Sequence, residues 1–296
     1  MSVKDNSCGI ADLQNIMLEI LKFFIAVCEK NDLHYWLAGG TCLGALRHGG
    51  FIPWDDDLDV YMPRDDYERL WKLAQSSDTN DRYVFCRTSE KQNYHHRVIQ
   101  LVDTRTTFIH SRCKEEDIEH GVYIDIIPID ACPDSKLQRF SQIFNAIVFS
   151  VYNIQCKPEY NGGKLKTLMS MATTVLLSII RSQTVRYRMW SRAEQRMTKY
   201  NLDKCANVKC ITSTFHELMT AFPKEWFGER RVPFEDIMAV VPTNAEDYCK
   251  AMYGDYMKLP PAEKRTVRHH TEFIDLNNNY LKYKGIYYLT NHNGSN

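Results

Sequence analysis

The sequence predicts an α/β or α+β domain with a separate helical part, and three observations predict it. Helical and strand periodicities alternate from Leu13, strands then follow one another as far as Ile129, and from Ser135 the texture changes to long helices. The composition, 44% hydrophobic and 25% charged over 296 residues, is that of an ordinary globular protein. It excludes a mainly disordered chain, a collagen-like chain and a polytopic membrane protein. Lys plus Arg and Asp plus Glu each total 37, so nothing global draws the chain to nucleic acid and any electrostatic site must be local.

Leu13, Ile16, Met17, Ile20, Leu21, Phe24 and Val27 recur at three and four, an amphipathic helix that Asn31 and Asp32 end. His34 to Ala38 reads as a short buried strand. Gly39 and Gly40 then turn the chain, and Thr41 caps a short helix through Arg47. After a Pro-containing loop from Phe51 to Trp54, Asp57 to Met62 is a strand closed by Pro63, and Asp65 to Ala74 is helical. Further strands are read at 82–87, 97–102, 106–110 and 121–129. Helices follow at 135–157, 163–181 and 184–200, then a hairpin near Trp226 to Phe234 and a last helix from Ala245 to Tyr253. The change of texture divides the chain into a core over 1–131, a helical subdomain over 132–230 and a C-terminal segment over 231–296 that returns to the core.

Ten cysteines are scattered from Cys8 to Cys249 with no CxxC pair, which reads as reduced, buried thiols in a cytoplasmic protein. The polar start, Met1 to Asn6, carries no basic stretch followed by an apolar run, so no secretory signal is read.

The chemistry concentrates between Leu37 and Arg64. On a strand, Asp57 and Asp59 share a face while Leu58 and Val60 point into the core. Two neighbouring carboxylates repel unless a cation lies between them, and magnesium held with substrate phosphates fits such oxygen ligands, with manganese its substitute. A calcium loop starting at Asp55 is a poor match, because Val60 stands where the loop needs Gly and Asp66 where it needs Glu. A solvated acidic turn is the structural alternative. Upstream, Gly39, Gly40 and Thr41 at a strand-to-helix junction let backbone N–H groups approach a phosphate closely. A glycine turn followed by metal carboxylates can hold a nucleotide's diphosphate together with its metal. Asp125, mid-strand among apolar neighbours, is a third acid whose burial asks for a metal or a partner. Asp130, at the strand end, is read as a turn or cap residue.

These residues together resemble the LicD family of phosphocholine transferases, whose domain has the nucleotidyltransferase (polymerase β-like) fold, a mixed sheet flanked by helices. The matching stretches are Gly39-Gly40-Thr41, Leu43-Gly44-Ala45, Arg47-His48, the run from Gly50 to Asp59 with Trp54-Asp55-Asp56-Asp57-Leu58-Asp59 at its end, and Met62-Pro63-Arg64. Tyr253 to Met257, Leu259-Pro260-Pro261 and Lys264-Arg265 extend the likeness towards the C-terminus. The resemblance implies that Asp57 and Asp59 bind magnesium, that Asp125 shares the metal or takes the acceptor's proton, and that Gly39, Gly40 and Thr41 contact donor phosphates. It implies a CDP-choline or related CDP-alcohol donor and a hydroxyl acceptor on a cell-surface glycan (lipopolysaccharide, teichoic acid or capsule) or its lipid-linked precursor.

Arg47, His48 and Arg64 either neutralise phosphate or pair with Asp55, Asp56 and Asp65, and Trp54 or Tyr61 either boxes a quaternary ammonium or packs in the core. One departure from the family stands at Ile99-Gln100-Leu101-Val102, before Asp103-Thr104-Arg105-Thr106, where members carry basic residues; Arg97 and Arg105 are the candidates to substitute, and His269-His270 lies further off. The apolar run 167–180, flanked by Lys164, Lys166, Arg181 and Arg186, is too short to span a bilayer and reads as a buried or interfacial helix, the latter at the inner face of the membrane. Three rivals remain: a nucleotidyltransferase that attaches the nucleotide itself, a DxD glycosyltransferase, and a non-catalytic nucleotide-binding module.

Overall fold

The computed structural model describes residues 9–76, 81–154, 173–175, 177–213, 215–267 and 271–290. It divides into two compact units. The first holds residues up to Cys86, Ile99–Pro128 and Phe222 onward; the second holds Arg87–Val98 and Ile129–Ala221.

In the first unit, helix α1 (Ile10–Asn31) buries Leu13, Met17, Ile20, Leu21 and Phe24, the expected stripe, and ends where Asp32 turns left-handed and donates its N–H to Cys28. Strand β1 is only Trp36–Leu37 and leads straight into α2 (Gly39–His48). Two expectations change here. The glycines are the first helical residues instead of a preceding turn, and Ala38 occupies the cap position. Thr41 therefore does not cap; its hydroxyl accepts the Asp59 N–H at 3.0 Å and ties the helix to the next strand.

That strand, β2 (Asp59–Pro63), starts at Asp59, so Asp57 lies in the irregular segment before it and the two acids do not share a strand. Helix α3 (Arg64–Ser76) follows, then β3 (Tyr83–Cys86), β4 (Ile99–Asp103), β5 (Thr107–His110) and the long β6 (Val122–Cys132). The sheet order is β1-β2-β6-β4-β3, with β1–β2, β6–β4 and β4–β3 antiparallel. The first unit is completed by β8 (Phe222–Pro223), a hairpin of β9 (Glu229–Phe234) and β10 (Ile237–Pro242), helix α7 (Ala245–Tyr253), and β11 (Thr271–Asp275), which pairs β5.

The hairpin turns at Glu235 and Asp236, later than the periodicity predicts, because Glu235 adopts a left-handed φ of 52° and reaches back to Gly49–Phe51. Its N–H donates to the Gly49 carbonyl at 2.8 Å and its carboxylate accepts the Phe51 N–H at 2.9 Å. Gly50 leaves the space this carboxylate occupies. Tyr61, a candidate for an ammonium box, is fully buried against Phe227 and Tyr248 and is core.

In the second unit, α4 (Lys136–Ile154) and α5 (Gln183–Met197) bury Ala146, Phe149, Tyr152, Trp190, Ala193 and Met197 together with Ile211 and Leu218. Strand β7 (Asn207–Lys209) pairs the end of β6, and a short α6 (Phe215–Met219) follows. Asp130, expected at a turn, is buried within β6 opposite Lys209, because the strand runs on to Cys132. The predicted helix 163–181 falls mostly outside the described residues; 173–175 and 177–179 are helical.

Eight cysteines among the described residues are free thiols and buried. No helix among the described residues is long and apolar enough to cross a membrane.

Candidate active site

The site forms around the first turn of α2. Gly39 sits at φ 51°, a left-handed conformation that side chains other than glycine rarely adopt. Its N–H donates to the Tyr248 hydroxyl at 3.0 Å. The first N–H to close a helical turn is that of Cys42, on the Ala38 carbonyl at 3.0 Å. The N–H groups of Gly40 and Thr41 therefore stay at the open end, where the helix carries its partial positive charge.

Two carboxylates stand against this end. Asp55 Oδ2 lies 2.7 Å from where a Cβ on Gly40 would be, and Asp59 Oδ2 lies 3.4 Å from where one on Gly39 would be, with the Tyr253 hydroxyl at 3.6 Å. The glycines are needed here for close approach as well as for conformation. Asp59 is fixed on both sides of its peptide, through the Thr41 hydroxyl and through its carbonyl, which accepts the Ala38 N–H at 3.0 Å. Asp55 is fixed from α1: Gln14 Nε2 donates to the Ile52 and Asp55 carbonyls at 3.0 and 2.9 Å, and the Asp55 N–H donates to Ile52.

Asp55, Asp56 and Asp57 each bring an oxygen within 4.8 Å of the others. Asp55 and Asp56 are buried and Asp57 is half-buried. Like charges packed this closely favour a cation among them, and an all-carboxylate donor set matches a hard divalent ion.

Asp125 comes to the same place from β6. Its N–H donates to the Leu58 carbonyl at 3.0 Å, which sets it beside the segment joining Asp57 to Asp59. Gln100, directly opposite on β4, donates Nε2 to Asp125 Oδ1 at 2.8 Å. Tyr123 lies two residues earlier on the same face of β6. Burial pushes its hydroxyl pKa well up, and the negative charges of Asp125, Asp57 and Asp59 push it further. One phenol thus senses all three sequence-predicted acids.

Cationic and aromatic groups form the rim. Arg47 donates Nη1 to the Tyr256 carbonyl at 2.7 Å and Nε to His48 at 3.0 Å. Burial lowers the Arg47 pKa from its usual value; burial, then the Arg47 charge, does the same for His48. Trp54 is half-buried, with the His48 ring edge-on at 6.2 Å and the Arg265 guanidinium over its face at 5.6 Å. Arg64 differs from these: it donates to Glu68 at 3.3 Å and lies over Tyr67 at 5.1 Å, both on α3. Of the residues considered in place of the family's basic pair, Arg97 donates to the Ser213 carbonyl at 2.6 Å within the second unit, and Arg105 is exposed. His269 and His270 lie outside the described residues.

Tyr248 is a contribution the sequence does not announce, and Tyr253 stands out in it only within a stretch of family likeness. Their α7 spacing pattern was visible, but a contact across 209 residues, as between Gly39 and Tyr248, has no local signal. Gln100 was noticed only as a departure; its partner needed the β4–β6 register.

Fold and site together define an α/β protein that gathers acids at the glycine-started end of a helix, with arginines at the rim. Residues 32–138 match the family model described as LicD/FKTN/FKRP, nucleotidyltransferase domain. The chain is 29% identical over 264 residues to the lipopolysaccharide cholinephosphotransferase LicD of Haemophilus influenzae, covering 88% of this chain and 96% of that protein. It is 48% identical over 42 residues to human ribitol 5-phosphate transferase FKRP, 14% of this chain and 8% of that one. Mannosyltransferase regulator 4 of Saccharomyces cerevisiae matches at 26% over 150 residues, 48% of this chain and 12% of the yeast protein. Residues 32–138 carry a LicD domain, and the likeness to the Haemophilus protein runs over most of the chain.

Proposed function

We propose that the chain is a phosphotransferase that moves a phospho-alcohol, phosphocholine first, from a CDP-activated donor to a hydroxyl of a cell-surface glycan or its lipid-linked precursor. The similarity to a lipopolysaccharide cholinephosphotransferase over nearly its whole length supports this, and the shorter similarity to a ribitol phosphate transferase keeps other head groups within reach. The observation that carries the reading is the meeting of the α2 N-terminus with Asp55 and Asp59 across two glycines.

In the proposed reaction the acceptor oxygen forms a bond to the head-group phosphorus, the bond from that phosphorus to the bridging oxygen breaks, and CMP leaves. Gly40 and Thr41 offer N–H groups to the diphosphate. Arg47 and His48, with Arg265 beside them, lie where phosphate charge needs balancing. Asp125, oriented by Gln100, accepts the acceptor hydroxyl's proton. Asp55, Asp56 and Asp57, whose oxygens already gather, would hold magnesium or manganese, with Asp59 as a further ligand outside that group, and the ion when bound neutralises charge on the phosphate oxygens. Trp54 already has a guanidinium over its face, so a choline ammonium would take Arg265's place or use the opposite face. The nucleotidyltransferase fold and a place at the cytoplasmic face of a membrane belong to the same proposal.

The test is a binding screen of CDP-choline, CDP-ribitol, CDP-glycerol and CDP with and without magnesium. One CDP-alcohol should bind in a magnesium-dependent way and lose that dependence in Asp59→Asn. Equal, metal-independent binding of every nucleotide would sink the reading and leave a plain nucleotide-binding module.

A further inference from the structure

Helix α7 ends at the site, and its two tyrosines meet Gly39 differently. Tyr248 is fully buried; its hydroxyl accepts the Gly39 N–H at 3.0 Å and lies 3.3 Å from the Tyr61 hydroxyl. That N–H is taken within the protein, which leaves those of Gly40 and Thr41 to face a ligand at the first turn of α2. Tyr253, the last residue of α7, is 39% exposed. Its hydroxyl oxygen lies 3.6 Å from where a Cβ on Gly39 would be, and Asp59 Oδ2 lies 3.4 Å from the same point. The absence of a side chain on Gly39 therefore opens a place flanked by a phenol and a carboxylate.

Their chemistry differs. An ionised carboxylate accepts hydrogen bonds or binds a cation and donates nothing, whereas a phenol carries an O–H that can donate. A phosphate oxygen resting over Gly39 would find in Tyr253 the donor that the Gly39 N–H no longer supplies. The chain is shaped to put it there. Gly254 follows at φ 70°, a value that suits glycine, and its N–H closes α7 on the Lys250 carbonyl at 2.9 Å. Two residues on, the Tyr256 carbonyl accepts Arg47 Nη1 at 2.7 Å. A single turn of chain thus fixes Tyr253 over Gly39 and Arg47 at the rim.

We infer that Tyr253 touches the substrate: its hydroxyl donates a hydrogen bond to a phosphate oxygen of a nucleoside diphosphate bound across the first turn of α2. The inference rests on the proposed donor class, and it gives a role to a residue outside the stretch 32–138 that matches the family model.

The test is calorimetry on the full chain, comparing wild type with Tyr253→Phe, which removes one oxygen from a partly exposed ring. CDP is titrated with magnesium present, and manganese is titrated alone. The Kd for CDP should rise by roughly ten-fold or more in the variant, while manganese binds both proteins alike and their thermal melts coincide. A wild type that binds no CDP would remove the proposed donor site and this inference with it. CDP binding by wild type that Tyr253→Phe leaves unchanged would overturn the inference alone. A manganese affinity that falls by the same factor as that for CDP would also overturn it, because Tyr253 would then act by holding Asp59 instead of the phosphate.

Discussion

Replacing Gly40 by Ala separates the site's chemistry from its stability. The new methyl would sit 2.7 Å from Asp55 Oδ2, about 0.7 Å inside ordinary contact at 3.4 Å. Asp55 cannot retreat as a whole, because its N–H and carbonyl are held by Ile52 and Gln14. Its carboxylate must leave its present place beside Asp56 and Asp57. Displacements of this size at a reacting centre cost about 100-fold, or about 2.7 kcal/mol of transition-state stabilisation. The folded state feels little, because Ala gains about 1 kcal/mol of helix propensity over Gly and the overlap costs about the same. Transfer of labelled phosphocholine to a glycan acceptor, measured beside a thermal melt, should show kcat/KM down about 100-fold with Tm nearly unchanged. Wild-type turnover in Gly40→Ala would refute the claim that Asp55 belongs to the site.

Gly49→Ala is the converse: nothing lies within 4 Å of the added carbon but φ is 67°, so stability should fall by about 1 kcal/mol with kcat unchanged, read by denaturant melts and turnover. Gln100→Leu removes the donor to Asp125, and steady-state kinetics should show kcat down roughly ten-fold or more with donor KM nearly constant; a change confined to KM would place Gln100 in donor recognition instead. His120 is buried, with Nε2 bonded to the Glu116 carbonyl at 3.0 Å, and burial, only partly opposed by that bond and nearby acids, lowers its pKa below 6.5. Since the unfolded chain binds this proton more readily, its contribution to stability is present above about pH 6.5 and lost as pH falls from there towards the folded value. Melts from about pH 7 to about pH 5 should show a shallower acid loss in His120→Phe than in wild type.

Much of the architecture was legible because it is written in local periodicity. The α1 stripe from Leu13 to Phe24 and the last helix, Ala245–Tyr253, need only their own side chains to be read. The acidic run was legible for the same reason. The alternation that put Asp57 and Asp59 on one strand failed because the strand begins only where the Ala38 N–H and the Thr41 hydroxyl engage Asp59, and both lie on other elements. Pairings such as Gly39 with Tyr248, Gln100 with Asp125 and Glu235 with the Gly49–Phe51 loop depend on register and packing. No window of sequence contains both partners of any of them.

The most direct measurement follows one turnover with the donor labelled in turn on choline and on cytidine, in the presence of magnesium and a glycan acceptor. Choline label passing to the glycan while cytidine label appears as CMP is the result expected. Cytidine label on the acceptor, with phosphocholine released, would contradict phospho-alcohol transfer and identify a nucleotidyltransferase.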